Sequence, residues 1–157
     1  MKVCTLVFLR RDNEVLLAMK KRGFGAGRWN GVGGKVAENE TIEQAMIREC
    51  QEEISVIPRV FTKVAYHDFI NDATAEPWHQ AVHVYMCSEW QGEPRESEEM
   101  APRWFKLSKI PYNDMWQDDQ MWLPLVLQNK LVQSTFTFDE HDDILSAKID
   151  LVDRLAA

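Results

Sequence analysis

GKVAENETIEQAMIRECQEEISV, residues Gly34 to Val56, decides how this chain is read. Thr41 followed three places later by Gln44 forms a capping box. Ile42, Ala45, Met46 and Cys50 then recur at helical spacing and make one apolar stripe. The pattern predicts a helix over about 42–53 that stops before Pro58. Glu49, Glu52 and Glu53 gather on another side of that helix. Residues three and four apart are neighbours on a helix, so these like charges repel by a few tenths of a kcal/mol per pair. One reading is a solvated acidic face with Arg48 paired to Glu52. The other is a face that receives a hard divalent cation, for which converging carboxylate oxygens are suitable ligands.

Working outward, VCTLVFL at 3–9 and EVLLAM at 14–19 read as strands joined by the polar turn RRDN. VCTLVFL has no small-residue cleavage site after it and reads as a strand rather than a signal peptide. Between the second strand and the helix lies GFGAGRWNGVGGK, whose six glycines predict a loop that lets backbone approach a ligand. Beyond the helix, 60–70 and 80–87 read as strands around the loop NDATAEP, and 103–107 as a further short strand. A second helix is expected over about 119–131, bent or started near Pro124, followed by strands at 134–138 and 144–149. Helices interleaved with strands in this order imply an α/β sandwich with a mixed β-sheet, and the whole chain, 1–157, is expected to be a single domain.

Composition narrows the function. Apolar residues make up 45% and charged residues 27%, ordinary values for a soluble globular protein. The net charge of −7 disfavours a partner that is a nucleic acid polymer, whose backbone is gripped by clustered Lys and Arg. Small anionic nucleotides remain open to it if a cation mediates the contact. No stretch is long and apolar enough for a membrane span, so no membrane partner is expected. Cys4, Cys50 and Cys87 are odd in number and far apart, which points to a reducing cytoplasmic setting rather than disulfides or zinc.

The spacing from Gly34 through Glu40, Arg48-Glu49 and Glu52-Glu53 to Val56 resembles the Nudix box, G-x5-E-x7-R-E-U-x-E-E-x-G-U with U aliphatic. Two positions depart from it: Cys50 replaces an aliphatic residue and Ser55 replaces glycine. That glycine ordinarily ends the helix in a left-handed conformation that costs a residue bearing Cβ. The resemblance implies a Nudix-type α/β/α sandwich and hydrolysis of a nucleoside diphosphate linked to some other group. It implies Mg²⁺ as cofactor, with Mn²⁺ possible, held by Glu49, Glu52 and Glu53. Glu53, then Glu49, is the expected base, while Glu40 and Arg48 hold helix and loop in register.

KKRGFGAGRWNGVGGKV at 20–36, WFKL at 104–107 and IPYNDMWQDDQMW at 110–122 further resemble the MutT-like branch of that family in animals. That branch hydrolyses oxidised purine nucleoside triphosphates, 8-oxo-dGTP and 2-oxo-dATP, to monophosphate and pyrophosphate. The likeness implies a base pocket of Asn30, Trp116, Asp118 and Asp119, with Thr5, Lys20 and Phe24 lining the same cleft. It adds the Gly33 carbonyl and Glu96 to the metal ligands. The substrate partner is then a small purine nucleoside triphosphate, and a monomer is expected. Each role has a plainer rival: Asp118 and Asp119 as helix caps, Asn30 as a turn residue before Gly31, Glu96 as part of a solvated acidic loop. Trp29 reads as structural, and the four histidines, scattered and without metal spacing, receive no role. Gln80 and Val32 stand where the branch has apolar and aromatic pocket residues, which bears on base preference. Other Nudix substrates, such as O6-methyl-dGTP or ADP-ribose, and a non-catalytic nucleotide-binding domain are the alternatives.

Overall fold

The computed structural model describes residues 1–155. Its strands are β1 (Lys2–Arg11), β2 (Glu14–Lys20), β3 (Trp29–Asn30), β4 (Val32–Lys35), β5 (Ile57–Asn71), β6 (Trp78–Gln91), β7 (Met100–Lys106), β8 (Leu131–Phe138) and β9 (Ile144–Val152). Two helices, α1 (Ile42–Ile54) and α2 (Asp119–Leu127), interrupt them. β1 is central: it pairs antiparallel with β4 on one edge and parallel with β6 on the other. From β6 the sheet continues through antiparallel β5, then β8 parallel to β5, then antiparallel β9. β2 peels away from β1 at Arg10 opposite Val15 and carries β3 and β7 on its two edges. The mixed sheet is as the sequence implied.

Alternation along the central strands builds two cores. Val7 and Leu9 of β1, with Leu16 and Ala18 of β2, face Met46, Cys50 and Ile54 of α1. Phe8, Val15 and Leu17 face the other way, onto Trp122, Leu123 and Val126 of α2. A strand covered on both faces has no need of polar alternation, which is why 3–9 and 14–19 read as nearly unbroken apolar runs. The sheet therefore lies between helices, an α/β/α sandwich.

Four boundaries differ from the sequence reading. Part of the glycine-rich stretch is β3 and β4, because Gly33 and Gly34 pair with Leu6 and Thr5 of β1. α2 begins at Asp119, five residues ahead of Pro124, and ends at Leu127 rather than near 131. Its end is enforced by Gln128 N–H bonding back to Pro124 and Leu125 carbonyls and by Asn129 at φ 66°. β5 and β6 run well past the apolar segments that announced them, with register shifts between Pro58 and Ala65. Among the described residues no helix is long and apolar enough to cross a membrane.

Candidate active site

α1 is aimed by its ends. Thr41 Oγ1 accepts the Gln44 amide at 3.1 Å and Gln44 Oε1 accepts the Thr41 amide at 2.9 Å, so the capping box forms in full. With Ala45, Met46, Cys50 and Ile54 buried, the helix turns Arg48 and Glu49 toward β4. The Arg48 guanidinium donates to both oxygens of Glu40 at 2.6 and 3.0 Å, to Glu49 at 2.9 Å and to the Lys35 carbonyl at 3.2 Å. Glu40 also accepts the Ala37 amide at 2.8 Å, which ties the loop ahead of the helix to its second turn. Arg48 and that amide hold the Glu40 carboxyl down to a pKa of about 2, while Glu40 and then Glu49 raise Arg48 further above its usual value.

Glu49 lies against β4 in the space that Gly34 leaves by lacking a side chain. A Cβ on Gly34 would stand 2.5 Å from the Glu49 carboxyl carbon, and one on Gly33 would strike the Thr5 carbonyl at 1.8 Å. Glu53 meets Glu49 side chain to side chain, and burial first, then that neighbour, pushes its pKa up to about 7. Its Oε2 is buried and finds no hydrogen-bond partner among the described residues. Glu52 is different: it is exposed and accepts from Arg48 at 3.3 Å, as a solvated-face residue does. Two of the three carboxylates thus converge in a crowded, partly dry corner. That donor set suits a hard divalent cation, which takes oxygen ligands and keeps several waters or phosphate oxygens. Among the described residues no three acidic, His or Cys side chains form a complete cage, so the protein offers part of a coordination sphere.

A cleft of about 250 Å³ opens from this corner along β1 and β6 toward the start of α2. Thr5, Lys20, Phe24, Asn30, Gly33, Gly34, Trp116, Asp118 and Asp119 all line it, so most of the expected site residues are brought together there. Lys20 is close enough to lower the Glu53 pKa against the other influences on it. Thr5 Oγ1 is buried without a partner. Asn30 Oδ1 accepts the Gly31 amide at 2.8 Å, so the turn role is real, yet the residue also borders the cleft.

Asp118 and Asp119 are both buried. Asp118 stands at the N-cap of α2 but makes no capping bond; Asp118 Oδ2 instead accepts the Trp122 indole N–H at 2.8 Å. Asp119 Oδ2 has no partner among the described residues. Burial raises both pKa values, and the charge of Asp118 raises Asp119 further, so the pair favours holding a proton. Capping is therefore not what these acids do. Beside them Phe24, exposed on a glycine loop, stacks on Trp116 with centroids 5.1 Å apart and planes 29° apart. Arg28 covers Trp116 at 4.3 Å, and Gly25 leaves room for the ring, since a Cβ there would come within 3.0 Å of it.

Glu96 is placed elsewhere. It is exposed in the loop before β7, ion-paired with Lys21, and does not border the cleft. Val32 packs in the α1 core: its neighbour Gly33 faces the cleft, and alternation sends Val32 to the opposite side, so the expected pocket role fails. Trp29 packs edge-on against Phe105 at 4.9 Å, as a structural residue. The sequence reading missed His67, Phe69, Trp78 and Phe138, which form the far wall. His67 is fully buried with its ring 4.3 Å from Trp122, and burial lowers its pKa to about 3, so it is neutral. The signal was available: Ala65, His67 and Phe69 alternate on one face of β5.

The profile of the NUDIX domain matches residues 2–126 of this chain. A zebrafish (Danio rerio) protein named oxidized purine nucleoside triphosphate hydrolase is 46% identical over 98% of this chain and 97% of its own length. The mouse (Mus musculus) protein of the same name is 45% identical over 97% and 96%. Among solved structures, the MutT protein of Bacillus halodurans superimposes with a TM-score of 0.85 over 96% of this chain and 98% of that one. At 22% identity, that likeness speaks for the fold alone.

Proposed function

Because this chain belongs to the NUDIX family, we propose that it hydrolyses oxidised purine nucleoside triphosphates, 8-oxo-dGTP and 2-oxo-dATP, to the monophosphate and pyrophosphate. The observation that carries this reading is the cleft itself, which runs from the buried pair Asp118 and Asp119 to Gly34, the residue against which the Glu49 carboxylate of α1 lies. A nucleotide has a base at one end and phosphates at the other, and the cleft is built in the same order. Removing such nucleotides before a polymerase uses them keeps mispairing bases out of DNA. We place the enzyme in the cytoplasm, acting on free nucleotide.

The base is gripped between polar and aromatic groups. Trp116 and Phe24 offer ring faces for stacking. Asp118 and Asp119, sharing one proton, present a donor and an acceptor side by side, and the proton can sit on either acid. That makes one site able to read both a 6-oxo and a 6-amino purine edge. Asn30 and Thr5 supply further polar atoms in the same cleft. Lys20, at the glutamate end, is suited to the phosphates.

Nudix hydrolases generally use divalent metal ions; we take the ion here to be Mg²⁺, with Mn²⁺ able to replace it, held by Glu49, Glu52, Glu53 and the Gly33 carbonyl, where it would neutralise phosphate charge and make water more acidic. Glu96 would join that set only by leaving Lys21. Glu53, whose carboxyl is raised toward neutrality, is suited to take the proton of the attacking water, with Glu49 next. Arg48 holds Glu40 and Glu49 in place and so fixes the angle of the helix to the loop.

A panel of nucleotides tests the reading. Turnover of 8-oxo-dGTP and 2-oxo-dATP should exceed that of dGTP and dATP, release pyrophosphate, and stop with chelator. Equal or absent turnover across the panel, extended to O6-methyl-dGTP and ADP-ribose, would refute it. Glu53→Gln should bind nucleotide but lose turnover; a wild type that binds and never hydrolyses would mark a binding module instead.

A further inference from the structure

The far wall of the cleft is mostly rings and methyls; beside the buried, neutral His67 ring, Gln80 is the polar side chain that β6 adds to it. His67 and Phe69 of β5, Trp78 and Val82 of β6, and Phe138 of β8 present rings and methyls. Phe69 stacks on Phe136 at 5.4 Å, and Trp78 lies 5.5 Å from Phe138, so the surface is continuous. Gln80 breaks it. It stands directly opposite Phe69 in the β5–β6 ladder, and it borders the cleft as its alternating neighbours Trp78 and Val82 do. Its backbone is engaged on both edges, by Lys2 of β1 and Phe69 of β5. Gln80 as a residue is half-buried, and its side-chain amide makes no hydrogen bond to another described residue. An amide carries two N–H donors and an acceptor oxygen, and here all are free of protein partners and open to a polar ligand in the cleft. Nothing in the ladder itself requires a polar residue there, since its strand neighbours on that face are apolar.

The geometry points to Gln80 as a specificity-determining residue that hydrogen-bonds the edge of the purine turned away from Asp118 and Asp119. This rests on the reading of the cleft as a purine nucleotide site. If the acid pair takes the six-membered-ring edge, the five-membered-ring edge falls to the wall that carries Gln80. Oxidation at C8 changes that edge: N7 turns from acceptor to N–H donor, and a carbonyl appears beside it. A primary amide complements both, its oxygen accepting from N7–H and its NH₂ donating to O8. Oxidation at C2 changes only the other edge. Gln80 therefore separates 8-oxoguanine from guanine and contributes little to separating 2-oxoadenine from adenine.

Calorimetric binding of nucleoside monophosphates in chelator tests this apart from hydrolysis. Gln80→Leu keeps the volume and removes the polar atoms; melting curves check that the fold is retained, and Gln80→Met serves as a second variant. The wild type should prefer 8-oxo-dGMP to dGMP, and either variant should cut that preference about tenfold by weakening the oxidised nucleotide alone. Affinity for 2-oxo-dAMP should stay within about twofold. A wild type without the preference, a variant that weakens every nucleotide alike, or one that changes none overturns the assignment. Binding with the expected preference but no turnover of any triphosphate would instead overturn the hydrolase reading and leave Gln80 in its role.

Discussion

Ser55 shows what a single departure from a motif does. It sits at the end of α1 with φ 62° and ψ 29°, the left-handed conformation that glycine adopts freely. A side chain there is strained by about 1 kcal/mol. The substitution Ser55→Gly should raise stability by about that amount, read as a higher melting temperature, and leave turnover of 8-oxo-dGTP unchanged. A large gain in turnover would mean that the loop beyond α1 sets the geometry of the site. Gly34 is the opposite case, where strain is absent and space decides. Gly34→Ala places a methyl against the Glu49 carboxylate, a movable group, so the fold should lose little. Displacing Glu49 by about 1 Å should nonetheless cost about 100-fold in turnover. Unchanged kinetics in that variant would remove Glu49 from the mechanism.

At the scale of elements, α1 is held by bonds at both ends rather than by its own propensity. Its first turn depends on the Thr41–Gln44 exchange. Its last turn is closed by Ser55 N–H on the Gln51 carbonyl and by Arg95 N–H on the Ile54 carbonyl. Thr41→Ala should therefore cost about 1 kcal/mol in a urea titration. It should lower turnover less than Gly34→Ala does, because Arg48 still clamps the second turn to Glu40. α2 contributes differently: it brings two acids into a dry place by spending none of them on its cap. Trp122, four residues on, takes Asp118 as the acceptor for its indole N–H and keeps that carboxyl in the cleft.

Over the whole molecule, buried titratable groups make stability depend on pH in opposing senses. His67 is neutral in the fold with a pKa near 3, against 6.5 when unfolded. The unfolded chain therefore binds the extra proton between those values, and stability falls as pH drops below 6.5. At pH 5 the loss from this one group is about 2 kcal/mol. Asp118, Asp119 and Glu53 have raised pKa values and act the other way, losing stability as pH rises through them. The difference between wild type and His67→Leu isolates the histidine: unfolding midpoints at pH 7 and pH 5 should diverge more in the wild type. Parallel pH dependence in the two would show that the ring gains a partner in solution.

Sequence alone determined the parts of this protein that are local. The capping box and the glutamate spacing of α1 are local signals within a few turns, and the nearly unbroken apolar runs of β1 and β2 announce strands covered on both faces. The left-handed end at Ser55 follows from one residue where glycine was expected. Tertiary structure decided the rest. Val32 and Gly33 are adjacent in the chain, yet one fills the α1 core and the other borders the cleft, because the pleat of β4 sends them to opposite faces. Glu52 and Glu53 part in the same way around a helix, one into solvent and one into a buried corner. His67, Gln80 and Phe138 come from three strands distant in sequence and meet only because β5 pairs with both β6 and β8. A periodicity states which residues share a face; only long-range strand pairing and packing state what that face meets.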